Sequence, residues 1–193
     1  HTSVLAGEWQ RDRFKGHELA GKRLGILGLG RIGEKVARYG LAFGMQVNAY
    51  DPRRKDALPG VGMKESMPDL LCETDVLSVH APLNEETVNL VGASELNLLP
   101  RGSWLINTAR GAIVDEAALL DALQSGQLAG AALDVLAGER TNERQIIIEY
   151  ARSHSNLLLA PHIGGATYES MRATEIFMAN KLKKHYEDYI CAR

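Results

Sequence analysis

Lys22 to Asp51 reads KRLGILGLGRIGEKVARYGLAFGMQVNAYD, and the reading of this stretch decides the fold. Leu24 to Leu27 is a short apolar run of the kind that forms a buried parallel strand. It passes directly into Gly28-Leu29-Gly30-Arg31-Ile32-Gly33, a complete G-x-G-x-x-G. A helix-period segment follows, with Ile32, Val36, Tyr39 and Phe43 on one face, and Gln46 to Tyr50 is a second strand that ends on Asp51. Each part has a physical use. Gly28 makes the tight turn, Gly30 lets the backbone approach a pyrophosphate, and Gly33 lets the helix pack closely on the strand. Unpaired N–H groups at the helix start hold phosphates. Asp51, at roughly the twenty-residue spacing of the fingerprint, accepts hydrogen bonds from ribose hydroxyls. A glycine pattern alone also reads as an ordinary turn. Strand, turn, helix, strand and acid in this order read as a dinucleotide site.

Working outward, 193 residues with 45% hydrophobic and 24% charged side chains suit one globular domain. A net charge of −2 and a pI near 6.3 provide no field for nucleic acid or a membrane surface. Cys72 and Cys191 lie far apart without metal-ligand spacing, so neither a metal site nor a disulfide is expected. That cysteine usage suggests a cytoplasmic protein. No apolar run reaches membrane length and no signal peptide is visible.

The arm 1–21 is polar and irregular and carries Trp9, Phe14 and Leu19, which need cover from the domain itself or from a neighbouring subunit. After Asp51 comes the basic run Pro52-Arg53-Arg54-Lys55. Such a cluster would suit the 2′-phosphate of NADP, but Asp51 repels that phosphate, so NAD is the expected cofactor. Short strands are expected over 61–64, 75–80, 103–107, 130–136 and 156–160. Helices are expected over 67–72, 85–91, 93–98 and 115–123, from near Thr141 or Asn142 to Arg152, and from Thr167 to about Tyr189. Strands and helices alternate throughout, which predicts an α/β doubly wound parallel sheet of the Rossmann type. The expected division is an arm over 1–21, the NAD-binding domain over 22–166 and a C-terminal helix over 167–193.

Three residues follow three separate strands: Arg110, Glu139 and His162. All should converge on the carboxyl edge of the sheet, where open α/β folds bind ligands. Histidine is suited to proton transfer near neutral pH. A carboxylate beside it fixes its tautomer and favours the imidazolium. The planar fork of arginine matches a substrate carboxylate. Singly, each has a bland reading: a helix cap for His162, a solvated loop acid for Glu139, a surface ion pair for Arg110.

The segments GKRLGILGLGRIG, NTARG, ALDV…GE and APHIGGAT resemble the signature segments of the D-isomer-specific 2-hydroxyacid dehydrogenases, a family that includes phosphoglycerate, glycerate and D-lactate dehydrogenases. The resemblance covers nearly the whole chain. It implies an NAD-dependent hydride transfer between nicotinamide and a D-2-hydroxy acid or 2-oxo acid. Arg110 would be the carboxylate-binding arginine, His162 the acid/base and Glu139 its partner. It further implies cofactor contacts from Arg31 and Ile32 to the pyrophosphate, from Asp51 to the ribose, and from His80, Ala81 and Pro82 along the cofactor. Thr108, Asp134 and Gly164 would lie near the nicotinamide, and members would pair as homodimers through the cofactor domain.

Two departures from the family pattern stand out. Leu136 replaces an aromatic, and Glu139-Arg140-Thr141-Asn142-Glu143 replaces a proline-rich loop. The chain also resembles an excised cofactor domain whose substrate domain is absent, so NADH binding with little turnover is expected of these residues alone. Formate dehydrogenases share the fold but partner their histidine with glutamine, against Glu139 here. An NAD-sensing binding module, similar to corepressors on the same fold, keeps the same three residues and remains the alternative.

Overall fold

The computed structural model describes residues 1–54, 56–139 and 145–191. Lys55 and the expected helix start near Thr141 or Asn142 lie outside the described residues.

Among the described residues, seven strands form a single all-parallel sheet: β1 (Arg23–Leu27), β2 (Gln46–Tyr50), β3 (Val61–Met63), β4 (Val76–Val79), β5 (Ser103–Asn107), β6 (Leu128–Leu133) and β7 (Leu157–Leu159). Their spatial order is β3-β2-β1-β4-β5-β6-β7. The chain reverses its direction of travel between β1 and β4, and such a switch point opens the crevice that ligands use. Arg23 and Asp75 tie these two strands at their amino ends, with Arg23 Nη2 donating to Asp75 Oδ1 over 2.6 Å.

The helices are α1 (Thr2–Leu5), α2 (Arg31–Ala42), α3 (Met67–Leu71), α4 (Ala93–Leu98), α5 (Glu116–Gln124), α6 (Gln145–Ser153) and α7 (Tyr168–Cys191). Strand β1 splits its side chains between the two faces, as a period of two requires. Leu24 and Ile26 join the core with Val47 and Ala49, while Leu27 joins the larger core of Leu77, Val79, Leu105 and Leu133.

The packing of α2 corrects the pattern-based expectation. Gly33, Ala37 and Gly40 are buried and Val36 packs half-buried against the core, whereas Ile32, Tyr39 and Phe43 are exposed. The helix lies too close to the sheet for large side chains. A Cβ on Gly33 would stand 2.2 Å from the Gly28 carbonyl oxygen, and one on Gly40 would stand 2.5 Å from Leu24 Cδ2.

The expected helix over 85–91 is a series of turns. Side chains there compete for the backbone groups a helix would use. Thr87 Oγ1 accepts from Asn84 N at 2.8 Å and donates to the Pro82 carbonyl at 2.7 Å. The segment is also fastened elsewhere, since Asn89 N donates to Ala112 O and Val91 bridges Val114. Strand β6 runs Leu128–Leu133 rather than 130–136, because the chain beyond Leu133 turns to make the site. Helix α5 begins as expected: Asp115 Oδ1 accepts from Ala117 N and Ala118 N at 2.9 and 3.1 Å.

Within the described residues Trp9, Phe14 and Leu19 are all exposed, so the domain itself does not cover the arm. Trp104 and Leu158 leave the sheet on the face opposite the larger core and are also exposed. Helix α7 is exposed from Tyr168 to Ile190.

Candidate active site

The glycine turn sits between β1 and α2 at the switch point. Gly28 has a φ of +95°, a conformation that favours glycine, and a Cβ there would meet Ala81 N at 2.8 Å. A Cβ on Gly30 would meet nothing within 4 Å. The protein's own packing therefore does not require glycine at position 30, and the space beside its backbone is open. Arg31 and Ile32 are exposed at the start of α2, whose first N–H groups have no intrahelical acceptors. Asp51 is held beside this turn: Oδ2 accepts from Leu29 N and Oδ1 from Arg53 N, both at 2.9 Å. Arg54 bonds Glu34, Asp56 and the Leu29 carbonyl, and Arg53 lies 3.9 Å from Glu86. Both arginines of the basic run thus face carboxylates, an arrangement poorly suited to a 2′-phosphate.

After β4, His80 is half-buried, Ala81 buried and Pro82 exposed. Burial pushes the His80 imidazole down to about 4, so it is neutral, with Nε2 2.9 Å from Ser78 Oγ. Ser78 was not expected as a site residue. Its signal in the sequence is only a polar residue inside a buried strand.

The ends of β5, β6 and β7 are adjacent, and they bring the remaining residues to one edge. Thr108 and Arg110 are exposed beyond β5. Asn107, buried at the strand end, shapes the turn: Nδ2 donates to Arg110 O at 2.9 Å and Oδ1 accepts from Ala109 N at 3.0 Å. Sequence reading placed Asn107 only as the last strand residue. Arg110 Nη1 donates to the Ala109 carbonyl at 2.5 Å.

His162 Nδ1 lies 3.0 and 3.1 Å from the two carboxylate oxygens of Glu139. The contact leaves Nε2 directed away from the pair. The bond to His162 holds the Glu139 carboxyl below its usual range, and the charge of Arg110 acts in the same direction. The loop that presents Glu139 lacks the family's prolines. It closes on itself at Gly138, whose φ is +64°, and Leu136 N donates to Glu139 Oε1 at 3.3 Å.

His162 itself has a φ of +56°. A non-glycine residue in the left-handed region carries strain that its surroundings must hold in place. Asp134 does so. Its buried carboxylate accepts from Ile163 N at 2.8 Å and Gly164 N at 2.7 Å, directly after the histidine. Asp134 was expected beside the nicotinamide, and in the structure both its oxygens bond the backbone of the histidine turn. A Cβ on Gly164 would stand 2.9 Å from Asp134 Oδ2, so a side chain there would displace the carboxylate. Among the described residues, no group of three or more His, Cys, Asp or Glu is placed to hold a metal ion, and no helix is long and apolar enough to cross a membrane.

Residues 1–164 match the family model described as "D-isomer specific 2-hydroxyacid dehydrogenase, NAD binding domain". The chain belongs to this family. The chain is 43% identical over 188 residues to glyoxylate reductase of Aeropyrum pernix, covering 93% of itself and 55% of that protein. It is 36% identical over 186 residues to D-3-phosphoglycerate dehydrogenase of Methanocaldococcus jannaschii, covering 95% of itself and 34% of the relative. Among solved structures, D-lactate dehydrogenase of Aquifex aeolicus, complexed with NAD and lactic acid, superposes with a TM-score of 0.89 at 32% identity, over 97% of this chain and 60% of that one. The chain therefore spans about half or less of the curated relatives' length and corresponds to their NAD-binding domain. Its glycine turn fits that cofactor. Gly30 faces open space at a helix start, and Asp51 is fixed beside it.

Proposed function

We propose that the protein carrying this domain is an NAD-dependent oxidoreductase that interconverts a 2-oxo acid and a D-2-hydroxy acid, with His162 as the acid–base group. The observation that carries this reading is the His162–Glu139 pair, 3.0 Å apart at the carboxyl edge of the sheet and beside Arg110. Gly28, Gly30, Arg31, Ile32 and Gly33 form the pyrophosphate cradle and Asp51 binds the ribose, while His80, Ala81 and Pro82 line the crevice. Thr108 and Gly164 stand at the edge nearest the reacting centre. When bound, NADH supplies the hydride to the carbonyl carbon of the 2-oxo acid.

The protein's residues do the rest. Arg110 binds the substrate carboxylate through its planar fork and brings positive charge to the neighbouring carbonyl. In the imidazolium form, His162 donates Nδ1–H to Glu139, and Nε2–H passes its proton to the carbonyl oxygen as the alcohol forms. Glu139 stabilises that imidazolium and fixes the ring's orientation. In the reverse direction neutral Nε2 takes the hydroxyl proton. The chain divides into the arm over 1–21, the cofactor domain over 22–166 and a C-terminal segment over 167–193 that contains α7, and turnover by these residues alone is slight.

Assays of the intact protein with NADH and a panel of 2-oxo acids test this reading. Turnover of at least one acid is expected, and Arg110→Lys should lower kcat and raise KM for it, because an ammonium lacks the bidentate fork. Tight NADH binding with no turnover of any 2-oxo acid would replace the enzyme with a binding module.

The same reading includes a homodimer joined through this domain. Trp9, 85% exposed, and the uncovered Trp104 and Leu158 offer apolar surface for it. Sedimentation of a monomer at micromolar concentration would overturn that. A cytoplasmic location is supported by the unpaired Cys72 thiol, and a disulfide found in the isolated protein would oppose it.

A further inference from the structure

Glu116 begins α5, outside the expected site, yet it is only half-exposed and its carboxylate bonds the backbone of a distant loop. Glu116 Oε1 accepts from Ala137 N at 2.6 Å, across twenty-one positions of sequence. The helix cap is already supplied by the neighbouring Asp115, so Glu116 is not needed for it. Burial raises the Glu116 carboxyl above its usual range, a cost that the Ala137 N–H opposes and the charge of Asp115 adds to.

Ala137 lies between Leu136 and Glu139 in the loop that faces His162. Backbone meets backbone on the same side: a Cβ on Gly111 would stand 1.9 Å from the Leu136 carbonyl carbon and 2.2 Å from Ala137 N. Gly111 directly follows Arg110. The loop therefore rests on the arginine turn and is fastened there by a charge-assisted hydrogen bond. A displacement of about 1 Å at a catalytic group costs on the order of 100-fold in rate.

We propose that Glu116 is a positioning residue of the acid–base pair: by accepting the Ala137 N–H it holds the loop that presents Glu139 to His162, in register with Arg110. The assignment rests on the acid–base reading of His162. The ordinary alternative is that Glu116 only complements the positive end of the α5 dipole.

Two substitutions in the intact protein separate these roles. Glu116→Asp keeps the charge at the helix start but is one methylene too short to reach Ala137. Glu116→Gln removes the charge but keeps the reach and an acceptor oxygen. Positioning predicts that Glu116→Asp speeds amide exchange of Ala137 by about 10-fold or more and lowers kcat by about 10- to 100-fold, with NADH affinity unchanged. Glu116→Gln should recover most of both losses. Parent-like Ala137 exchange in Glu116→Asp would overturn the proposal, as would a Glu116→Gln protein as impaired as Glu116→Asp. Amide exchange needs no substrate. A protein with no turnover of any 2-oxo acid would thus remove the enzymatic reading while Ala137 still reported whether Glu116 fastens the loop.

Discussion

Replacing Asp134 by alanine removes the acceptor for two backbone donors at once. Ile163 N and Gly164 N reach its carboxylate at 2.8 and 2.7 Å, and His162, just before them, is held at a φ of +56°. A hydrogen bond to a charged group contributes about 1.5–3 kcal/mol, and a non-glycine residue in the left-handed region costs about 1–2 kcal/mol. The histidine turn is exposed, so water takes over part of the lost bonding once the carboxylate is gone. The released strain also offsets part of the roughly 3–6 kcal/mol of two such bonds, which leaves a net loss of about 2–4 kcal/mol. Relaxation of His162 towards negative φ follows, and its ring leaves Glu139. Asp134→Asn should be nearly as damaging, because the amide offers one acceptor oxygen to two donors. Urea unfolding gives the stability change, amide exchange at Gly164 locates it, and kcat should fall by about 100-fold with the displaced ring. An Asp134→Ala protein within about 0.5 kcal/mol of the parent, with parent-like kcat, would refute the anchoring argument.

Further outcomes follow from neighbouring geometry. His162→Gln should lower turnover by about 10²–10⁴-fold. The same change should let the Glu139 carboxyl titrate at higher pH, since its hydrogen bond to His162 is the largest influence holding it low; carboxyl NMR that finds Glu139 unmoved would contradict the pairing. His80 sets a pH dependence of stability. Its folded value of about 4 lies below the ordinary 6.5, so between those values the unfolded chain binds a proton that the native state does not. Stability should therefore fall as the pH drops through that window and be level above it, and His80→Gln should flatten the curve. Unfolding free energies that slope equally in both proteins would count against a neutral His80. Gly33→Ala should destabilise the domain and weaken NADH binding, because its Cβ would stand 2.2 Å from the Gly28 carbonyl oxygen. Fluorescence titration with parent-like affinity would show that the turn can yield.

Much of this was legible in the chain. The order of strand, glycine turn, helix, strand and acid predicts β1, α2, β2 and Asp51 in their observed places, because each element there is specified by local constraints: hydrophobic runs, positive φ, helix starts. The adjacency of Arg110, Glu139 and His162 followed from topology, since parallel strands deliver their carboxyl ends to one edge. The failures have a different physical origin. Hydrophobic periodicity grouped Ile32, Tyr39 and Phe43, whereas the sheet accepts Gly33, Ala37 and Gly40; a pattern that rewards bulk cannot see where two backbones must nearly touch. The segment 85–91 looked helical until Asn84 and Thr87 side chains, and a bridge from Val91 to Val114, claimed it for turns.

The sequence by itself determined the parallel α/β fold, the dinucleotide turn and which three side chains meet at the sheet edge, because these depend on element order and local backbone chemistry. Only the tertiary structure decided how those side chains are held. Asp134 bonds the turn that strains His162, Asn107 shapes the turn of Arg110, and Glu116 reaches Ala137 beneath Glu139. The bonds of the two carboxylates join residues brought together by the finished sheet, and a carboxylate's partner is a matter of ångströms that no spacing along the chain encodes.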